Sequence, residues 1–160
     1  RYHGSTYGCK TQAEYDYVID RVANLRGTAK YKKNLAYYKE MGKAGYWEKH
    51  FKVAYSDTLA DVYSILGSYS SKSGSTASKY TSAYEKLHDG NGSCLGCAQV
   101  RIAVMHCHGY DAKLVWGSAP HGYHAWIQFE ADGKTYQLDG NFCGEGTLKG
   151  YKVKGSGYNF

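Results

Sequence analysis

Apolar side chains recur at helical intervals in three stretches of the first half of this 160-residue chain. The first stretch begins at Thr11, which with Glu14 has the spacing of a capping box, and it continues to Gly27. A second helix is predicted over residues 32–41, and a third begins near Asp57. The apolar faces of the first and third helices consist of Tyr15, Val18, Val22 and Leu25, and of Leu59, Val62, Tyr63 and Leu66.

A Ser- and Gly-rich stretch, residues 67–82, follows these helices and is predicted to be a loop. The next helix covers residues 94–108 and ends at Gly109. Its polar residues form only two narrow stripes, with apolar residues in both gaps between them. The stripes are Gln99 with His106, and Arg101 with His108. A helix with so little polar surface is expected to lie at the centre of the fold.

The hydrophobic period changes to two after this helix. Residues 112–117 are predicted to form a strand, residues 123–142 a hairpin around Asp132 and Gly133, and residues 148–154 a further strand. Asp-Gly is a dipeptide that suits the type I′ turn of a two-residue hairpin. Helices that precede an antiparallel sheet indicate the α+β class.

The hairpin turn determines which side chains share a face of the sheet. With a two-residue turn at positions 132 and 133, Trp126 lies opposite Asp139, and His124 points to the same side as both. His124 and Asp139 are then diagonal neighbours, roughly 7–8 Å apart at the backbone, so the carboxylate can reach and orient the imidazole. The opposite face should belong to the core, and it carries Ile127, Phe129, Tyr136 and Leu138.

Cys94 begins the predicted central helix. A helix N-terminus offers free N–H groups and the positive end of the helix dipole, and both stabilise a thiolate. An adjacent imidazolium would stabilise the thiolate further, and the same N–H groups are suited to an oxyanion. Cys97 lies nearly one turn inside the helix and gains less from these effects. Cys94 is therefore the candidate nucleophile.

Three segments together resemble the transglutaminase-like superfamily. Residues 82–98, "SAYEKLHDGNGSCLGCA", resemble its nucleophile segment, "GYHAWIQF" its His-Ala-Trp strand, and "YQLDGNF" its Asp strand. The order Cys, His, Asp is also that of the family. Within it, the chain is most similar to bacterial transglutaminase-like cysteine protease domains. Two positions depart from the bacterial pattern: Cys97 stands where an aromatic residue is common, and Ile127 where a small polar one is.

The resemblance implies a papain-like α+β core in which N-terminal helices precede a central catalytic helix packed on an antiparallel sheet. We expect one domain over residues 1–160, with a helical part at about 1–80 and a catalytic core at about 81–160. The implied roles are Cys94 as nucleophile, His124 as general base and Asp139 as the residue that orients it. The implied substrates are peptide or protein amides, which react through an acyl-enzyme.

Water and a lysine amine are the two acceptors that could resolve such an acyl-enzyme, and they lead to different enzymes. Water gives a protease or amidase, which we favour because the chain is short and lacks the extra domains of animal cross-linking enzymes. An amine gives a protein-cross-linking transglutaminase. An alternative of another class is a non-catalytic module that presents a tyrosine-rich groove to a peptide or cell-wall polymer. The chain has 18 tyrosines, whose rings suit such a groove.

Three further residues are candidates for the surroundings of the site. Asn91 or Tyr84 is considered as a second oxyanion donor. Trp126 is considered either as packing that shields the His–Asp hydrogen bond or as a substrate contact.

A metal site is not expected. Cys94 and Cys97 precede two histidines, His106 and His108, which resembles a zinc pattern. All four lie on one continuous helix, however, and the histidines are more than roughly 15 Å along its axis from Cys94, so the site cannot close. No βαβ pattern supports a thioredoxin-like role for the two cysteines, and no acidic cluster has calcium-loop spacing. We expect neither a metal nor a cofactor.

Charge and composition limit the classes of partner that the chain is expected to bind. The net charge of +6 is spread along the chain, which is typical of a solvated surface rather than a nucleic-acid site. No apolar run approaches the roughly 18 residues of a membrane span. We expect a monomer whose partner is a peptide or protein substrate, such as one at a cell surface.

Five cysteines leave one thiol over if the others pair: Cys9, Cys94, Cys97, Cys107 and Cys143. Two disulfides would suit a secreted protein, and five thiols would suit the cytosol. Cys97 and Cys107 are too far apart on their helix to pair with each other, but either could pair with Cys9 or Cys143. A start at Arg1 rather than Met suggests either a processed form or an excised domain. The sequon at residues 91–93, next to the candidate nucleophile, would obstruct the cleft if glycosylated. The protein therefore either does not come from a glycosylating pathway or leaves this site unused. Together with the Tyr, Ser and Lys content, this favours a secreted or surface protein of bacteria.

Overall fold

The computed structural model describes residues 1–157, and in this part of the chain five α-helices precede five β-strands. The helices are α1 (Gln12–Val22), α2 (Ala29–Lys43), α3 (Trp47–Phe51), α4 (Asp57–Leu66) and α5 (Cys94–Cys107). The strands are β1 (Asp111–Ala119), β2 (Gly122–Ala131), β3 (Lys134–Asp139), β4 (Phe142–Glu145) and β5 (Lys152–Gly157). The α+β class predicted from the sequence is confirmed.

Side-chain caps set where the N-terminal helices begin. The Thr11 hydroxyl accepts a hydrogen bond from the Glu14 N–H (3.1 Å), as the capping box predicts. Helix α2 begins three residues earlier than the hydrophobic pattern indicated, because Thr28 caps it by accepting the Tyr31 N–H (3.2 Å). Helix α3 was not predicted from the sequence, because its five residues are too few to display a helical period.

Helix α5 lies at the centre of the molecule, in contact with β1, β2, α1 and α4. Its predicted polar stripes are largely buried: Gln99 is 1% exposed and His108 is 8% exposed. His108 is accommodated because its ring accepts the Leu25 N–H (3.2 Å) and also bonds the Val104 carbonyl oxygen (2.7 Å). Burial on several sides holds the start of α5 in a defined position.

The strands form one antiparallel sheet in the order β4-β3-β2-β1-β5. The predicted β2–β3 register is confirmed, since Ile127 pairs with Leu138. Asp132 and Gly133 both have positive φ (55° and 72°), as a type I′ turn requires. The face predicted to belong to the core packs against the helices, and its residues Ile127, Phe129, Tyr136 and Leu138 are all buried.

The other face of the sheet is also covered, which the sequence did not indicate. Strands β4 and β5 lie at opposite edges of the sheet, so residues 146–151 must connect one edge to the other. Within this crossover, Leu148 packs with Val115 and Trp126. A side chain at Gly144 would overlap the Thr147 carbonyl oxygen, so the crossover can approach β4 this closely only because position 144 is glycine. The predicted strand at residues 148–154 is therefore half crossover and half β5.

All five cysteines are free thiols. Cys9 and Cys143 are buried, and burial raises the pKa of each thiol to about 11. Neither is therefore ionised near neutral pH. Among the helices of residues 1–157, none is both long enough and apolar enough to cross a membrane.

Candidate active site

Cys94 is the first residue of α5, and its side chain is exposed. The preceding Ser93 caps the helix: its hydroxyl accepts the Gly96 N–H (3.3 Å) and donates to the Tyr80 carbonyl oxygen (2.8 Å). A Cβ at position 96 would lie 2.8 Å from that carbonyl oxygen, so glycine allows the preceding loop to pack against the first turn. These contacts fix the backbone that carries the thiol.

Two backbone N–H donors in the first turn of α5 have no acceptor among the residues that the structure describes. Ser93 satisfies the N–H groups of Gly96 and Cys97, through its hydroxyl and its carbonyl oxygen respectively. Within residues 1–157, the N–H groups of Cys94 and Leu95 have no hydrogen-bond acceptor. Free donors at a helix N-terminus attract an anion, and here they lie beside an exposed thiol. The start of α5 therefore suits both a thiolate and an oxyanion.

His124 on β2 and Asp139 at the end of β3 are hydrogen-bonded to each other. The Nε2 atom of His124 lies 3.1 Å from each of the Asp139 carboxylate oxygens. The two side chains are 17% and 21% exposed, so the pair is largely shielded from water while remaining accessible. The diagonal contact that the hairpin register predicted is therefore present. Because Nε2 faces the carboxylate, Nδ1 is left as the nitrogen for proton exchange.

The thiol, the imidazole and the carboxylate border a common cavity of about 350 Å³. Cys94 and His124 also border a second cavity of about 330 Å³, which reaches Trp116 and Tyr123. In the described chain no hydrogen bond joins the Cys94 thiol to the His124 ring. The contact between a nucleophile and its base is often long before substrate binds. The two cavities that Cys94 and His124 both line therefore show that these side chains face the same space.

Tyr151 is a member of this group that the sequence analysis missed. Its hydroxyl donates to the Asp139 Oδ2 atom (2.6 Å), and its ring packs edge-on against Trp126 (5.0 Å between centroids). Burial, and then the hydrogen bond to Asp139, raise the pKa of Tyr151 to about 12, so the hydroxyl keeps its proton at neutral pH. No local motif marks this tyrosine, because the crossover alone brings it to Asp139.

Arg101 contacts the residue that follows Asp139. Its guanidinium donates to the Gly140 carbonyl oxygen (2.9 Å), which ties the turn after β3 to α5. Arg101 also borders the cavity that Cys94 and Asp139 share. The sequence analysis placed Arg101 on a polar stripe of the helix but gave it no role.

The three tentative site residues have other contacts. The Asn91 side-chain oxygen accepts the Ser75 N–H (2.8 Å), and the Tyr84 ring packs against Tyr17 and His88. Neither residue lines the two cavities that Cys94 borders. The Trp126 side chain is 1% exposed, and its indole N–H donates to Gln137 (2.9 Å). Trp126 also stacks with His124 at 6.2 Å between ring centroids.

The residues of the rejected zinc pattern are separated along α5. His106 bonds the Tyr7 hydroxyl and the Ala112 carbonyl oxygen, both at 2.7 Å. Across residues 1–157, no group of three or more His, Cys, Asp or Glu side chains is placed to hold a metal ion.

Comparison with known proteins identifies a family whose model matches this chain. The family model described as "Transglutaminase-like superfamily" matches residues 50–138, more than half of the chain. The matched region contains Cys94 and His124 and ends one residue before Asp139. A search of curated proteins finds no match. The matched length, together with the helix-on-sheet architecture, shows that the chain belongs to the transglutaminase-like superfamily.

Proposed function

We propose that the protein is a cysteine hydrolase that cleaves peptide or protein amides, with Cys94 as nucleophile, His124 as general base and acid, and Asp139 as the residue that orients the imidazole. The observation that carries the proposal is the His124–Asp139 hydrogen bond beside a cavity that the exposed Cys94 thiol shares. Family membership supports a cysteine enzyme in general terms.

The proposed reaction has two stages. First, His124 holds the proton of the Cys94 thiol, the sulfur attacks the amide carbonyl carbon, and the proton passes to the departing amine as the C–N bond breaks. This stage leaves a thioester on Cys94. In the second stage His124 takes a proton from water, the resulting hydroxide attacks the thioester, and the sulfur leaves with its electron pair. Asp139 stabilises the imidazolium that forms in both stages.

The uncommitted N–H groups at the start of α5 supply electrostatic stabilisation in this scheme. The carbonyl oxygen becomes negatively charged when the sulfur attacks, and within residues 1–157 the Cys94 and Leu95 N–H groups have no acceptor to give up. Donors that are already oriented need no rearrangement as the charge develops. Removing one such donor typically costs about 2.7–4 kcal/mol of transition-state stabilisation.

Exposure of Cys94 favours water over an amine as the acceptor. An acyl-enzyme survives long enough to meet an amine only where water is excluded. The Cys94 side chain is exposed to solvent and borders two cavities. Hydrolysis is therefore the proposed fate of the acyl-enzyme, and transfer to a lysine amine is the alternative that the assay below separates.

Iodoacetamide labelling at pH 6, read by peptide mass spectrometry, tests the proposal without knowledge of the substrate. Only a stabilised thiolate labels quickly at this pH. We expect Cys94 to label faster than Cys9, Cys97, Cys107 and Cys143, and His124→Ala to lower its rate by about tenfold or more. A matched control is His88→Ala, which removes a surface histidine bonded to Asp89 (2.6 Å) away from the cavity. This control should leave Cys94 labelling unchanged.

Slow labelling of Cys94, or a rate indifferent to His124, would contradict the proposal and favour the binding module. If labelling succeeds, peptide amide libraries with and without a lysine analogue identify the acceptor. Release of free carboxylate supports hydrolysis. Preferential incorporation of the amine would replace hydrolase with transglutaminase and leave the three residue roles intact.

A further inference from the structure

Tyr151 occupies the side of Asp139 that His124 leaves free. One carboxylate receives two partners: Nε2 of His124 at 3.1 Å from both oxygens, and the Tyr151 hydroxyl at 2.6 Å from Oδ2. The tyrosine ring is held by Trp126, whose own indole N–H is committed to Gln137. The hydroxyl therefore meets the carboxylate from a fixed direction.

We propose that Tyr151 is a positioning residue for the proposed reaction: its hydroxyl holds the Asp139 carboxylate turned so that both oxygens face His124. The inference rests on the proposed function of Cys94, His124 and Asp139. Tyr151 touches none of the reacting atoms and acts only through Asp139.

The physical need for such a residue follows from the position of Asp139. It is the last residue of β3, with a glycine at position 140 and an exposed Phe142 beyond it. The terminal torsion of an aspartate is broad, so a carboxylate held only by the imidazole could turn towards solvent. The hydrogen bond from the Tyr151 hydroxyl to Oδ2 removes this freedom, because it fixes one of the two carboxylate oxygens.

The crossover explains why a tyrosine from so far along the sheet can do this. Residues 146–151 pass over the outer face, where Leu148 packs with Val115 and Trp126. The Tyr151 N–H bonds the Leu148 carbonyl oxygen (3.0 Å), which turns the chain just before β5. The crossover therefore covers the outer face of the sheet and also places the Tyr151 hydroxyl within hydrogen-bonding distance of the Asp139 Oδ2 atom.

Tyr151→Phe separates positioning from packing, because phenylalanine keeps the ring against Trp126 and removes only the hydroxyl. The measurement is the Cys94 iodoacetamide rate across pH 4–9. When Asp139 is less well oriented, it stabilises the His124 imidazolium less, and the imidazolium in turn stabilises the Cys94 thiolate less. We expect the labelling midpoint to rise by roughly half to one pH unit, and the rate below it to fall by about three- to tenfold.

The other charged or titratable side chains that border the cavities at Asp139 are unchanged in this variant, and they include Arg101, His50, Lys52, His121 and Lys149. The matched control is Tyr55→Phe. Its hydroxyl also donates to an aspartate, Asp57, at 2.7 Å, and burial followed by that bond raises the Tyr55 pKa to about 12 as well. We expect the control to leave the Cys94 midpoint unchanged.

A double-mutant cycle with Asp139→Asn shows whether Tyr151 acts through Asp139. In the Asp139→Asn background, Tyr151→Phe should cause no further change in labelling. An unchanged or lowered midpoint for Tyr151→Phe alone, or an undiminished effect without the carboxylate, would overturn the inference. Slow, His124-independent labelling of the unsubstituted protein would instead overturn the proposed function, so the two failures are distinguishable.

Discussion

Asp61 on α4 accepts hydrogen bonds from the Arg26 guanidinium and from the Tyr31 and Tyr110 hydroxyls. Its side chain is 16% exposed. Asp61 and Asp139 thus both accept a hydrogen bond from a tyrosine hydroxyl, but the second partner differs. It is a guanidinium at Asp61 and an imidazole at Asp139. Asp61 faces a permanent cation that compensates its charge, whereas Asp139 faces an imidazole that can gain and lose a proton. The first arrangement serves stability and the second suits catalysis.

Asp61→Asn should therefore destabilise the protein without altering the candidate site. The amide leaves the Arg26 charge uncompensated and weakens two tyrosine hydrogen bonds, which is expected to lower the free energy of unfolding by about 2–4 kcal/mol. Urea unfolding at neutral pH measures this loss. Asp57→Asn, which weakens the exposed bond from Tyr55 and removes one negative charge from the first turn of α4, should cost less than about 1 kcal/mol. Equal losses for the two variants would contradict the assigned role of Asp61.

Capped helix starts are the main determinants at the scale of elements. Thr11, Thr28, Ser56 and Ser93 each accept an N–H group from the first turn of the helix that follows. Three of these caps have only a structural consequence. The cap at Ser93 also sets the position of Cys94, and in the described part of the chain the Cys94 and Leu95 N–H groups have no acceptor, so at α5 the same device contributes to the proposed chemistry.

Ser93→Ala and Ser56→Ala form a matched pair that tests this distinction. Each removes a helix cap: Ser56→Ala should lower the free energy of unfolding by about 1 kcal/mol, and Ser93→Ala should lower it by more, because its hydroxyl also donates to the Tyr80 carbonyl oxygen. Only Ser93→Ala should also slow Cys94 labelling at pH 6, because only that cap holds the thiol at the start of α5. A similar labelling rate in both variants would show that the cap does not position the thiol.

At the scale of the whole molecule, α5 is enclosed by the sheet and the N-terminal helices, and this burial extends to ionisable groups. Burial lowers the pKa of His106 below its ordinary 6.5, despite an opposing hydrogen bond to the Ala112 carbonyl oxygen. Burial alone would raise the pKa of Asp61. Hydrogen bonds from Arg26, Tyr110 and Tyr31 outweigh it and hold the pKa below its ordinary 3.8.

These shifts predict acid instability in two stages. Below about pH 6.5 the unfolded chain binds a proton at His106 before the folded protein does, so stability falls. Below about pH 3.8 the unfolded chain also protonates Asp61 first, and the stability that the depressed pKa confers is lost as pH falls through the folded value. Thermal unfolding midpoints from pH 3 to 8 measure both stages. Asp61→Asn should reduce the fall of the unfolding midpoint below about pH 3.8. A midpoint independent of pH would contradict the roles assigned to both His106 and Asp61.

The local pattern was sufficient wherever a short-range rule applied. The capping box at Thr11, the period of α4, the type I′ turn at Asp132 and the β2–β3 register all depend on residues within a few positions of one another. The contact between His124 and Asp139 followed from that register. The family resemblance, carried by three short motifs, is likewise borne out by the match over residues 50–138.

The sequence by itself determined the class of fold, the placement of Cys94 at a helix start and the pairing of His124 with Asp139. Hydrogen-bond geometry within a helix or hairpin allows few alternatives, so these features can be derived from spacing alone. Only the tertiary structure decided that the outer face of the sheet is covered, that Trp126 is buried and that Tyr151 meets Asp139. Those contacts depend on where the crossover from β4 to β5 lies, and long-range packing sets that path.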